Sequence, residues 1–292
     1  MRLELLCAGV VAGATAAIAA PPDSSAVLVA AVADASDPVA IDRAARKLSA
    51  PQLLELIGGG RSETRAAVFA ASLNNDGTAM LGALSDIAGG FDRSLAVPAA
   101  RAARAIASAL DRAALAEREI PRRLIAEAAV GWHRIARDRQ LWSDVRIVAL
   151  EVARDLTELL GADGSKPVIE LVADPDSEVR RAALELLPSP LPAERYGRVA
   201  AKITDTDREV AIAAAAALCF GVRFGDDAAA IRKAAGAAGI AAISALAADP
   251  LLPAPARAAA AGCITDPNVR KAIRATLPRN LRPLLDPVEP RK

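Results

Sequence analysis

The chain has few side chains of the types that carry out catalysis or bind metals. His133 is the single histidine among 292 residues, and three cysteines are present. A zinc site of the usual kind needs several His or Cys ligands, and a nucleophilic Ser or Cys needs a nearby base. No Ser or Cys lies close to His133 in the sequence. We therefore expect no catalytic constellation, no metal site and no cofactor.

Two segments have part of the pattern of a ligand site. The acidic cluster Asp174, Asp176 and Glu178 lacks the glycine and the bidentate glutamate that a calcium loop requires. The segment Gly58-Gly59-Gly60-Arg61 precedes a predicted helix and could hold an anion there. It lacks the Lys-Ser/Thr pair of a phosphate-binding loop, and a helix–helix corner is its simpler interpretation.

Cys219 and Cys263 both lie in apolar, Ala-rich contexts. Such surroundings raise the pKa of a thiol and argue against a nucleophilic role. Two interpretations stay open. The two residues form a disulfide in an oxidising compartment, or they are buried free thiols that pack as small hydrophobes.

The composition favours an all-α protein. Ala makes up a quarter of the chain, and aromatic residues account for 2% of it. Ala is the strongest helix former, whereas a β-sandwich or barrel needs many more aromatic and β-branched residues. The net charge of +1 argues against a dedicated binder of nucleic acid.

The N-terminal residues have the pattern of a secretory signal peptide. A short charged start is followed by an uncharged Leu/Ala-rich run and by the site Ala17-Ile18-Ala19 before Pro21-Pro22. We expect export to the periplasm or the cell exterior with cleavage after Ala19. An uncleaved anchor and an ordinary buried helix are the alternatives, and no span is expected once residues 1–19 are removed.

The rest of the chain repeats an Asp-containing helix start. The segments 172–184 and 203–215 both read as an apolar residue, an Asp turn, an acidic first turn and then Val followed by Ala residues, and their first aspartates are 31 residues apart. Weaker copies begin near residues 36, 62, 98, 143, 255 and 266. A short apolar-periodic stretch precedes each copy, so each unit is predicted to be a pair of antiparallel helices that buries its apolar faces against its neighbours.

These segments resemble HEAT repeats and the related HEAT-like repeats of the phycobilisome-lyase type. The resemblance covers roughly residues 34–277 and implies a right-handed α-solenoid of about seven or eight irregular repeats. It also implies an Asp in the inter-helix turn and an Arg six residues later, which bond from repeat to repeat as a ladder. Asp37/Arg43 and Asp174/Arg180 match this spacing. Six residues after Asp205 the sequence has Ala211 instead of an arginine, so we expect the ladder to be interrupted there.

Three regions follow from this pattern. Residues 1–19 are the signal, residues 20–277 form the solenoid with a first capping helix at 26–34, and residues 278–292 form a basic tail. The tail cannot be helical throughout because it contains four prolines.

The segment after Pro121 is the candidate partner-binding surface. Pro121 is predicted to begin a helix that runs to about Asp138 and buries Trp132 with other apolar residues of one face. The opposite face is charged, and we expect its arginines to contact an anionic partner. A solvated face with internal Glu–Arg pairs is the alternative. The candidate residues are Arg123, Arg134 and Arg137.

The sequence thus predicts a non-catalytic scaffold whose partner is another protein. The resemblance leaves two alternatives open. One is an enzyme of the bilin-lyase or DNA-glycosylase type, for which Trp132, Trp142 and the Arg-rich stretch 101–154 are a faint signal. The other is a structural subunit of an envelope complex.

Overall fold

The computed structural model describes residues 24–34, 38–74, 77–111, 121–188, 191–224 and 228–285. All regular elements in these ranges are helical. Short 3-10 helices lie at Gly77–Met80, Ala193–Arg195 and Arg279–Leu285. The α-helices are α1 (Ser24–Asp34), α2 (Pro38–Ala45), α3 (Ala50–Ile57), α4 (Arg61–Ala71), α5 (Leu81–Ala88), α6 (Arg93–Ala109), α7 (Arg122–Arg137), α8 (Ser143–Leu159), α9 (Ser165–Leu171), α10 (Ser177–Glu185), α11 (Tyr196–Ala200), α12 (Arg208–Phe224), α13 (Ala228–Ala248), α14 (Ala254–Ala261) and α15 (Pro267–Thr276).

The helices form an all-α solenoid of stacked helix pairs. The second helices of the pairs form layer two (α4, α6, α8, α10, α12 and α14), in which each helix contacts the next. The first helices form layer one (α3, α5, α7, α9, α11 and α13), with direct contacts between α5 and α7 and between α11 and α13. The all-α solenoid predicted from the Asp-turn pattern is confirmed.

The core runs as one apolar cluster along the stack. Many of its buried residues are Ala, which lets helices approach closely while each methyl group buries little area. Trp132 is fully buried in α7 together with Ile125 and Ile135, as the face of that helix predicts. Its indole N–H donates to the Leu81 carbonyl in the preceding repeat at 3.2 Å.

The two aspartates of each Asp-turn motif have different roles. Asp176 caps α10 by accepting from the Glu178 and Val179 amides, and Asp207 does the same at the start of α12. The first aspartate of each motif, Asp174 or Asp205, accepts from the amide two residues later. The carboxylate of this first aspartate can therefore also accept hydrogen bonds from the neighbouring repeat.

Both ends of the described array are helical. Helix α1 begins two residues earlier than the predicted capping helix. After Pro278, residues 279–285 form a 3-10 helix that packs on α14 and buries Leu285. The predicted signal, its cleavage residue Ala19 and the remaining tail residues 286–292 lie outside the described residues.

Helix α13 is long and apolar enough, by length and composition, to cross a membrane. It is interrupted at Gly236, whose φ of 64° and ψ of 177° lie in a region that favours glycine. The helix also packs on α11, α12 and α14. We therefore interpret α13 as the first helix of the α13–α14 pair.

Candidate functional site

A ladder of arginine–aspartate ion pairs joins the successive helices of layer two. In every rung the arginine lies at or near the start of one helix, and the aspartate lies at the start of the next helix of the layer or in the turn that precedes it. The described rungs are Arg61–Asp92, Arg93–Asp144, Arg146–Asp174, Arg180–Asp205 and Arg208–Asp249.

The central rung is buried and bidentate. The side chains of Arg146 and Asp174 are 3% and 2% exposed. The guanidinium donates to both carboxylate oxygens at 3.1 and 2.5 Å and to the Ala136 carbonyl at 3.0 Å. Next to it, the Ser143 hydroxyl donates to Asp176 and lowers the pKa of that carboxyl. The start of α8 is thus fixed to the start of α10 by several charge-assisted bonds.

The next rung has the same bidentate geometry. Arg180 donates to the two oxygens of Asp205 at 3.1 and 2.8 Å and also to the Asp174 carbonyl at 2.8 Å. Burial raises the pKa of Asp205, but the bonds from Arg180 and from the Asp207 amide outweigh it and hold the pKa below its ordinary value. One arginine therefore contacts its own turn and the following turn.

Two of the four predicted ladder residues are found in rungs. Asp174 pairs with Arg146 and Arg180 pairs with Asp205, so the two lie in successive rungs, in line with bonding from repeat to repeat. The interruption expected at Ala211 is not found, because Arg208, one turn earlier, pairs with Asp249. Arg43 is exposed, and Asp37, the other predicted ladder residue of that repeat, lies outside the described residues. The glycine segment 58–60 is a helix corner, and Arg61 beside it enters a rung.

Two open grooves lie between neighbouring helices of layer two. The α4–α6 groove has a cavity of about 280 Å³ beside Phe69, which is 45% exposed, and its lining includes Pro98 and Arg101. The α10–α12 groove has a cavity of about 310 Å³ beside Phe220, which is 48% exposed. Both grooves therefore present an aromatic ring and a concave apolar surface to solvent.

Tyr196 of α11 forms the wall of the α10–α12 groove. Its hydroxyl accepts the Leu191 amide at 3.1 Å, and its ring is buried. The ring lies directly against Gly221 of α12, where an added Cβ would come within 2.2 Å of the tyrosine oxygen. A glycine at this position is needed for the tyrosine to reach between the helices.

The arginines of the α7 candidate surface point away from the core. Arg123 pairs with Glu127 at 2.6 Å, and both side chains are well exposed. Arg137 lies 3.4 Å from Glu170 of α9. Arg134, one turn before Arg137, is exposed. Val130 on the same face is 72% exposed. The helix has the predicted orientation, with two of the three arginines also engaged by carboxylates of this chain.

The side chains considered for chemistry have structural environments. His133 is half-buried 3.5 Å from Glu170, and burial lowers its pKa. Trp132 is enclosed in the core, so it cannot stack on a nucleic-acid base as the glycosylase alternative would require. In the part of the chain that the structure describes, no group of three His, Cys, Asp or Glu side chains is arranged to hold a metal.

Cys219 and Cys263 form a disulfide that joins α12 to the turn after α14. Their Cα atoms are 4.8 Å apart, and both residues are buried. Of the two interpretations left open by the sequence, the structure has the disulfide. The bond links two neighbouring helices of layer two. It adds to the Arg208–Asp249 rung, which joins the start of α12 to the turn before α14.

Comparisons with known proteins gave distant structural likenesses. No protein-family model matches the chain, and no curated protein matches it. An engineered protein of known structure is similar with a TM-score of 0.45 at 19% identity, covering 88% of this chain and 98% of that one. A designed armadillo repeat protein in complex with the peptide (KR)4 has a TM-score of 0.41 at 16% identity, covering 85% and 97%. At this level of likeness the comparisons assign no ligand to this chain.

Proposed function

We propose that the protein is a non-catalytic scaffold that binds another protein through layer two. The observation that carries the proposal is the pair of open apolar grooves on that layer, each with a half-exposed phenylalanine beside it. Concave apolar surface with a few charged groups favours binding of a ligand or a protein segment. The ladder supports the proposal, because it fixes the spacing between the helices that form the grooves.

The environments of the chemically capable side chains support a non-catalytic role. The two described cysteines are joined to each other, and His133 faces a carboxylate at a helix–helix contact. The buried arginines and aspartates of the ladder neutralise one another. These groups stabilise the stack, and the grooves are lined mainly by apolar side chains.

Co-purification with matched variants tests the scaffold. Phe69→Asp and Phe220→Asp place a charge beside each groove, and Val39→Asp in α2 is the control, since Val39 is also well exposed. We expect the double groove variant to lose a partner protein that the wild type and the control retain. Equal recovery of that partner by all three proteins would contradict binding through layer two.

We also propose that the protein is exported, with residues 1–19 removed. The charged start and apolar run of the N-terminus support this, and so does the Cys219–Cys263 disulfide, because such bonds persist mainly in oxidising compartments. N-terminal sequencing of the native protein should begin at Ala20 or within a few residues of it. An intact Met1 on soluble cytoplasmic protein would refute export.

The arginines of α7 are a second proposed contact, for an anionic part of the partner. Their support is the exposure of Arg123, Arg134 and Arg137 on one face of a well-packed helix. Replacing all three with Ala should change the unfolding free energy by no more than about 0.5 kcal/mol at each site while weakening the partner's binding. Unchanged binding by the triple variant would remove this surface from the proposal.

A further inference from the structure

We propose that the α10–α12 groove binds a basic segment of the partner that inserts one apolar side chain into the cavity. The inference rests on the proposed function and names the chemistry of the ligand at one of its two grooves. Three observations carry it: the size and lining of the cavity, the carboxylates along its two helices, and the opposite charge at the α4–α6 groove.

The cavity has the dimensions of a side-chain pocket. Its volume of about 310 Å³ lies at the lower end of the range for ligand pockets, so it suits one large side chain better than a folded surface. It is open to solvent beside Phe220, and Tyr196 closes it on one side. The remaining lining is almost entirely apolar: Leu184, Leu187, Pro188, Leu191, Ala213, Ala216 and Ala217, with Glu185.

Carboxylates extend along both helices from this cavity. On α10, Glu178 lies seven residues before the cavity residue Glu185 and therefore on the same helix face. On α12, Glu209 precedes the cavity residues Ala213 and Ala216 at helical spacing. All three glutamates are exposed. They form an acidic border on the groove, with the apolar cavity at one end.

The nearby arginines leave most of this negative charge uncompensated. Arg180 and Arg208 are engaged in the ladder by Asp205 and Asp249. Arg181 approaches Glu185 at 3.5 Å on the exposed surface of α10, where an ion pair contributes little. The groove therefore attracts Lys or Arg side chains on a partner and disfavours acidic ones.

The α4–α6 groove has the opposite charge. Arg101 lines its cavity, and the exposed Arg65 lies over the ring of Phe69 at 6.0 Å. Since both grooves combine an apolar cavity with a phenylalanine, the charge at the border is what distinguishes their ligands. A basic segment is thus directed to α10–α12 and away from α4–α6.

Fluorescence anisotropy with synthetic peptides tests the proposal on the full-length mature protein. The first probe is a labelled Lys/Arg-rich peptide with one central Leu. The second probe has Ser in place of Leu, and the third has Glu in place of every Lys and Arg. We expect the first probe to bind, the Ser probe to bind at least 10-fold more weakly because apolar burial is lost, and the Glu probe not to bind.

Two charge-reversed variants separate the groove from general electrostatics. The test variant combines Glu178→Lys, Glu185→Lys and Glu209→Lys. The control combines Asp34→Lys, Glu55→Lys and Asp86→Lys, which are exposed on helices outside layer two (α1, α3 and α5) and give the same change of net charge. We expect the test variant to bind the Leu probe roughly 30-fold more weakly at low salt, and the control less than about 3-fold more weakly.

Each other outcome overturns part of the account. Equal weakening by both variants, an equal affinity for the Ser probe, or preferred binding of the Glu probe would overturn the proposed ligand. If no probe binds while the partner still co-purifies through Phe69 and Phe220, the ligand class is wrong and the scaffold stands. If the partner is also independent of both phenylalanines, the scaffold itself is wrong. Phe220→Asp, with unchanged helicity by circular dichroism, is a second variant expected to lose the Leu probe.

Discussion

The buried rung between α8 and α10 gives the most quantitative prediction. Asp174→Ala removes a carboxylate that is 2% exposed and leaves two donors of the Arg146 guanidinium without an acceptor. An unsatisfied buried group costs about 1–3 kcal/mol, and more when it is charged. Breaking a buried ion pair costs about 3–5 kcal/mol overall, so we expect Asp174→Ala to lower the free energy of unfolding by about that amount.

The same substitution at an exposed rung is the control. Asp144 pairs with Arg93 at 2.9 Å, but these side chains are 44% and 60% exposed. Such a pair contributes about 0–1 kcal/mol, so Asp144→Ala should cost far less than Asp174→Ala. A second arm replaces the buried pair by Arg146→Met with Asp174→Leu, which leaves no unpaired charge and should recover most of the lost stability.

Urea unfolding followed by circular dichroism provides the assay. With a slope of about 3 kcal/mol per molar urea, Asp174→Ala should lower the midpoint by roughly 1–1.7 M. Asp144→Ala should lower it by less than about 0.3 M. Equal shifts for the two single variants would refute the argument from burial. A double variant as unstable as Asp174→Ala would show that the loss comes from packing and not from the unpaired charge.

Three further predictions follow from other contacts. Replacing Cys219 and Cys263 with Ser removes a link that spans 44 residues and should cost about 4 kcal/mol of unfolding free energy, measured against the oxidised wild type; an unchanged urea midpoint would show that the disulfide does not stabilise the stack. Gly221→Ala, whose Cβ would meet the Tyr196 oxygen at 2.2 Å, should lower the melting temperature. Gly82→Ala is the control: no atom lies within 4 Å of its added Cβ, so it should leave the melting temperature unchanged or raise it. The reverse order would contradict the packing of Tyr196. The pKa of Asp205 is held low in the folded chain, so the stability it supplies is present above the ordinary carboxylate pKa of about 3.9 and is lost as the pH falls through the folded pKa. Asp205→Asn should therefore reduce the dependence of the unfolding free energy on pH in the acid range. An unaltered pH dependence would refute this role.

The sequence carries the local part of the fold. Asp-containing starts, Ala-rich faces and the apolar stripe with Trp132 are short-range patterns, and most of them correspond to an observed helix start or buried face. The repeat copy predicted to begin near residue 98 is wrong, because Pro98 lies inside α6, which begins at Arg93 after the capping Asp92. The sequence does not specify which aspartate caps α10, because both Asp174 and Asp176 are suitable N-cap residues. In the structure Asp176 accepts the Glu178 amide, and Asp174 accepts the Asp176 amide in the preceding turn.

The pairing of the ladder depends on distances that the sequence does not specify. The residues of a rung are separated by as few as 25 residues for Arg180–Asp205 and as many as 51 for Arg93–Asp144. The separation varies because helix lengths and the connections between pairs vary. A signal was nevertheless present, since Arg93 and Arg208 directly follow the capping aspartates Asp92 and Asp207.

The grooves were missed for a related reason. The α10–α12 cavity exists because the five-residue helix α11 places Tyr196 between two longer helices, and Gly221 leaves room for its ring. Glu178 and Glu185 share a face of α10, but Glu209 belongs to the same groove only because α12 packs against α10. The excess of acids over bases in residues 155–209 was a visible but unspecific indication of this surface.

Site-specific photo-crosslinking in the cells that produce the protein tests the central claim most directly. A photoreactive phenylalanine analogue would replace Phe220 in one variant and the exposed Val39 of α2 in another. Binding of a protein partner through layer two predicts one discrete protein adduct from position 220 that is absent from position 39. The same adduct from both positions, or an adduct from position 39 alone, would contradict the claim.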